Sequence, residues 1–166
     1  MKMKLFVLGI AIVAIALVQP LGAATATSNV TLNATVSDTA NLSVSAALLT
    51  FPNSDPDTVP SIAATEGAVT ITAKARTSGG STVTLTLLAG SDLTSGLDTI
   101  AISNMTWTVS GGGFVAGTMS TAVAQSVASW TNSGNRTGTQ TFALANSWSY
   151  PTGNFSATAT YTLTAP

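Results

Sequence analysis

Phe155-Ser156-Ala157-Thr158-Ala159-Thr160-Tyr161-Thr162-Leu163 closes the chain in strict apolar–polar alternation. A pleated strand sends successive side chains to opposite faces. Phe155, Ala157, Ala159, Tyr161 and Leu163 are therefore expected to face a core, and the intervening serine and threonines water. The same period recurs upstream, in Val30–Val36, Asn41–Ser45, Val69–Arg76, Thr82–Leu87, Thr99–Ile102, Met105–Val109, Phe114–Met119 and Gln140–Leu144. Thr77-Ser78-Gly79-Gly80-Ser81 reads as a glycine-rich hairpin connection between two of these. Ser45–Leu49 carries a weak helical signal. Thr121–Ala128 is alanine-rich and reads either as a short helix or, through Val123, Val127 and Trp130, as a strand. About eight to ten short strands broken by turns at even spacing predict an all-β sandwich or barrel. Alternation on nearly every strand predicts antiparallel sheets with one wet face.

The N-terminus reads as a secretory leader. Lys2 and Lys4 precede an apolar run from Leu5 to Val18, and Ala23-Ala24-Thr25-Ala26 offers small residues for cleavage after Ala24 or Ala26. The expectation is a signal peptide over residues 1–24 and a single β-domain over 25–166. Such a chain is secreted, to the cell surface or the periplasm, and is free of the membrane after cleavage.

Beyond the leader the basic side chains are Lys74, Arg76 and Arg136, set against Asp38, Asp55, Asp57, Glu66, Asp92 and Asp98. This acidic balance offers no footprint for nucleic acid. Histidine and cysteine are both absent, which removes the commonest general base and the thiol nucleophile. No Gly-x-Ser-x-Gly elbow stands between a strand and a helix. The chain is therefore expected to be no enzyme and to need no cofactor, with Asp55, Asp57 and Glu66 as the only clustered acids.

Two loops hold candidate ligand groups. Asn53, Asp55 and Asp57 alternate in Asn53-Ser54-Asp55-Pro56-Asp57 and offer oxygens of the kind calcium takes, although this composition also makes an ordinary surface turn. Trp148 and Tyr150, beside Pro151, are candidates for stacking against a sugar, with packing beneath the sandwich end as the plainer alternative. Trp107, inside an alternating strand, is expected in the core. Asn-x-Ser/Thr sequons at Asn29, Asn33, Asn41, Asn104, Asn135 and Asn154 follow from the threonine content.

Ala47-Leu48-Leu49-Thr50-Phe51-Pro52-Asn53-Ser54-Asp55-Pro56 resembles the apolar-x-Phe-Gly-x-x-Asp-Pro stretch of the spore coat protein U family of pilin-like secreted domains. Gly153 to Leu163 resembles that family's closing alternating pattern. Gly153 also stands fourteen residues from the C-terminus, as in chaperone–usher pilins, although Ala165 occupies the place of their penultimate tyrosine and their paired cysteines are absent. The ending Tyr161–Pro166 is similar to the last strand of WxL cell-wall-binding domains, with Tyr161 in place of the motif tryptophan.

The resemblance implies an immunoglobulin-like, pilin-like sandwich that accepts a strand from a neighbour. The expected function is an exported, non-catalytic structural subunit of a surface filament (fimbrium) or coat. Its expected partner is itself, with residues 25–36 as donor strand through Val30, Leu32, Ala34 and Val36, set beside Phe155–Leu163. The same Val30–Val36 segment also reads as the first strand of its own sandwich. A secreted module binding carbohydrate, such as a cell-surface glycan, is the alternative function.

Overall fold

The longest strand carries its own change of register. In Ser61–Arg76 the buried residues are first Ile62 and Ala64, then Val69, Ile71, Ala73 and Ala75. The parity changes at an irregularity between Ala63 and Ala68, where Gly67 adopts φ 70°. A bulge of this kind re-aims the strand without ending it. Glu66, in the bulge, accepts the Thr50 N–H at 2.8 Å, and that bond holds its carboxyl below the usual carboxylate range.

The computed structural model describes residues 25–166. Its strands are β1 (Thr39–Val44), β2 (Ser61–Arg76), β3 (Thr82–Ala89), β4 (Leu93–Ser95) and β5 (Asp98–Ile100). They continue with β6 (Met105–Ser110), β7 (Gly117–Thr118), β8 (Gln125–Thr131), β9 (Gly134–Ala145) and β10 (Ala159–Thr164). A short 3-10 turn, Ile102–Asn104, precedes β6. A five-stranded sheet runs β1-β2-β9-β6-β7, a three-stranded sheet β10-β3-β8, and β4 pairs with β5. All pairings are antiparallel. The result is an all-β, sandwich-like fold, as expected. Its core joins Val69, Ile71 and Ala73 of β2 to Val83, Leu85 and Leu87 of β3, with Trp107, Val127 and Phe142 among them. Thr35–Pro166 forms one unit.

Three sequence expectations are corrected, and the reading left open at Thr121–Ala128 goes to the strand. Thr77–Ser81 is an arch rather than a hairpin: β2 and β3 lie in different sheets, because the apolar faces of the two strands meet across the core. Asn132, with φ 68°, caps this arch by accepting the Gly80 N–H at 2.7 Å. Thr121–Ala128 contains no helix. Ser120 Oγ accepts the N–H groups of Ala122 and Val123, which makes a turn, and β8 begins at Gln125. Residues 25–38 form no strand. Val30–Val36 is therefore not the first strand of its own sandwich, and the five-stranded sheet begins with β1. Finally, the closing strand enters its ladder only at Ala159. Upstream, Ser156 is bridged to Thr94 and Gly90 donates to the Thr158 carbonyl.

The expected leader, residues 1–24, lies outside the described residues.

Candidate functional site

Where the two sheets should close over β10, they leave an open cleft of about 1220 Å³. Its floor is core: Leu87 and Ala89 from β3, Met105 from β6, Phe142 and Leu144 from β9. One wall is the segment after β1, through Ala46, Leu49 and Phe51; the other is Phe155, Ala157, Ala159 and Tyr161. The cleft exceeds the ~300–1,000 Å³ usual for small-molecule sites.

The residues expected to face the core along the last strand divide accordingly. Phe155, Tyr161 and Leu163 are half-buried and pack on the core, whereas Ala157 and Ala159 are exposed. Leu42 and Val44 of β1 are half-buried as well. Each is an inward-pointing residue whose cover is incomplete. β1 and β10 are in contact with each other, and each hydrogen-bonds a neighbouring strand on one side only.

Sheet edges are normally blunted by charge, proline, brevity or cover. The other edges of the five- and three-stranded sheets follow that rule. β7 is two residues long, and the outer edge of β8 is met by Phe114 and Val115, whose N–H donates to the Val127 carbonyl at 2.9 Å. β1 (Thr-Ala-Asn-Leu-Ser-Val) and β10 (Ala-Thr-Tyr-Thr-Leu-Thr) contain no charge and no proline.

The segment expected to donate a strand is exposed. Val30, Leu32 and Val36 show 81%, 89% and 69% of their surface, and Ala34 is exposed too. Three large apolar side chains at alternate positions thus stand in water, an arrangement that usually marks an interaction segment.

Beneath the cleft's tyrosine lies a polar pair. Gln140 on β9 is fully buried; its Oε1 accepts the Tyr161 hydroxyl, and its Nε2 has no partner among the described residues. Burial pushes the Tyr161 phenol well above its ordinary value, and Tyr150 in the same direction. The folded chain therefore keeps a proton that the unfolded chain gives up. The stability this contributes is complete below the ordinary phenol pKa of ~10 and is lost as pH rises from there towards the raised folded value. Urea midpoints measured from about pH 8 to about pH 11.5 are expected to fall for the unaltered chain, and to fall less for Tyr161→Phe. At neutral pH the same variant leaves Gln140 Oε1 without its donor, at a cost of ~1–3 kcal/mol.

The two candidate ligand loops, distant in sequence, meet at one end of the sandwich. The Trp148 indole N–H donates to Asp57 Oδ1 at 3.0 Å, and the Asn146 side-chain amide donates to the carbonyls of Ser54 and Val59, each at 3.0 Å. Asp55 Oδ1 accepts the Asp57 N–H, and the Asp55 carbonyl accepts those of Thr58 and Val59. The segment is thus the surface turn its composition suggests. Two of the oxygens considered for calcium are engaged by N–H donors. No three carboxylates converge on a metal position among the described residues.

Trp148 is 71% exposed, so it does not pack beneath the sandwich end; Tyr150 is half-buried and packs on the core. Trp107 is in the core, as expected. Trp130 is also buried, with the Arg136 guanidinium 5.9 Å from its ring centre.

Sequence reasoning did not single out Leu49, Phe51, Met105 and Phe142 as cleft residues. The apolar run Leu48-Leu49-Thr50-Phe51, ending at Pro52, was the available signal. Comparison with known protein families and with characterised proteins gave no match.

Proposed function

We propose that the chain is an exported, non-catalytic structural subunit whose copies join by strand addition, residues 25–36 of one copy seating in the cleft of the next. The observation that carries this reading is the cleft itself: an apolar floor open to solvent beside two unblunted strand edges. An extended segment placed along β10 supplies main-chain hydrogen bonds to the free edge, and its alternate side chains fill pockets. Val30, Leu32, Ala34 and Val36 have that period, and so do Ala157, Ala159 and Tyr161 along the wall.

Such a contact joins two different surfaces and does not close on itself, so it propagates into a fibre. The resemblance of both ends of the domain to the spore coat protein U and chaperone–usher pilin families supports the same reading, including export and an immunoglobulin-like strand arrangement. The mature chain is expected to form filaments, visible by negative-stain microscopy and as a mass distribution in light scattering that grows with concentration. A strictly monomeric protein that also ignores a synthetic Thr25–Val36 peptide contradicts it.

A further inference from the structure

Trp148 is the one large aromatic side chain left mostly in water among the described residues, and its setting differs from that of a stray surface residue. Its indole N–H is fixed on Asp57, 91 positions away. Ser147 Oγ, close to Ser149 Oγ at 2.8 Å, accepts the Ser149 N–H at 3.1 Å and so turns the chain directly after the tryptophan. The Asn146 bonds clasp the same two loops together. The ring is thus held in place before anything binds, which lowers the ordering cost of a contact.

On the side of the Asn53–Asp57 turn the ring's neighbours are polar, while Trp148 also lines the cleft together with Tyr150 and Pro151. Asp57 is exposed and engages the indole through one oxygen, leaving the other for a second donor. Asn53 and Asp55 stand exposed in the same turn, and Ser149 beside the ring. An exposed aromatic face with carboxylate, amide and hydroxyl groups along one side matches a pyranose, which offers a C–H face to the ring and hydroxyls to the rim.

Charge narrows the class. Lys74 and Arg76 lie at the far end of β2, and Arg136 pairs with Ala73 near them, whereas the Trp148 platform adjoins the Ser61 end, where the Asn146 N–H donates to the Pro60 carbonyl. Among the described residues the two carboxylates therefore have no cation beside them, and an anionic sugar would be repelled.

We propose that Trp148, Asp57 and Asn53 form a binding site for a neutral, unbranched β-1,4-linked glycan, one sugar stacking on the indole and its equatorial hydroxyls donating to Asp57. The site adjoins the assembly cleft, whose lining includes Asn53 and Trp148, but it uses the loop end of the sandwich and needs no second copy.

The test titrates the full mature chain with cellohexaose and chitohexaose, following tryptophan fluorescence. Trp107 and Trp130 are buried, so a change in the solvent-exposed part of the emission reports on Trp148. Retardation in gels containing hydroxyethyl cellulose or glycol chitin gives a readout that does not depend on that fluorophore. The expected results are saturable binding of at least one oligosaccharide and at least a tenfold loss on Trp148→Ala. Trp148→Tyr should stay within about threefold of the unaltered chain, and Asp57→Asn should lose several-fold, with unchanged circular dichroism throughout. No binding of either oligosaccharide or either polymer overturns the proposal. Unchanged binding by Trp148→Ala overturns it equally. A Trp148→Ala variant that alters only filament formation assigns the platform to a protein contact and also overturns it.

Discussion

A chain carrying Val30→Asp and Leu32→Asp is expected to remain a folded monomer and to form no filaments. The two side chains are 81% and 89% exposed, and residues 25–38 contribute no strand, so the substitutions remove nothing from the sandwich core. In the proposed assembly both positions enter an apolar cleft floored by Leu87, Phe142 and Leu144. There each carboxylate must either keep its charge without a partner or take up a proton, at an effective cost of several kcal/mol per group. Two such costs amount to more than about a thousandfold in association. Light scattering and negative-stain microscopy read the outcome, with Thr31→Asp as the control: Thr31 falls on the outward face of the same alternation, and that variant is expected to assemble. Filaments from the double variant at unaltered concentration would remove the N-terminal segment from the interface.

Trp107→Ala carries the largest expected effect on folding, about 3–5 kcal/mol. That is a large share of the ~5–15 kcal/mol that holds a typical domain together. The ring is 1% exposed, lies tilted at 46° to Phe142 with centroids 6.2 Å apart, and donates its N–H to the Val115 carbonyl at 2.9 Å. It also occupies the space over Gly117, where a Cβ would overlap it. Losing the ring opens a cavity in the core and leaves the Val115 carbonyl without this donor, loosening the segment that covers the β8 edge. Urea unfolding should show a lower midpoint with the same slope. A loss below about 1.5 kcal/mol would mean that the site collapses around the smaller residue and that the ring is not a keystone of this core.

The strands were legible in the sequence wherever one face is β-branched or aliphatic and the other threonine, as in β3 and β10. The bulge in β2 was hidden because Ala63, Ala64 and Ala68 flank it, and alanine does not declare a face. β8 was obscured by the alanines before it, although Val127 and Trp130 carried the strand signal. The sheet to which each strand belongs was not legible either: Gly79-Gly80 suits a hairpin and an arch equally well, and only the packing of β2 against β3 decides between them.

For the candidate sites the limits were of the same kind. Alternation marked both Val30–Val36 and the last strand as segments in need of a neighbour. The cleft between Phe51 and Ala159 depends on where two sheets fail to close, which no local pattern records. The Asp57–Trp148 contact spans 91 positions, so each loop looked ordinary alone.

Whether another copy fills the cleft can be read from covalent capture. The chain has no cysteine, so a disulfide between engineered positions reports their proximity without ambiguity. Bridging requires Cα atoms within about 7 Å. The deciding measurement is oxidation of a chain carrying Leu32→Cys together with Ala157→Cys or Ala159→Cys, followed by non-reducing electrophoresis and mass spectrometry of the linked peptides. Strand addition between copies predicts a ladder of dimers, trimers and higher species, each joined by the cysteine introduced at position 32 of one copy and the cleft cysteine of the next. A monomer closed by an internal bridge would contradict it, because the segment would then complete its own sandwich, and so would the absence of any bridge.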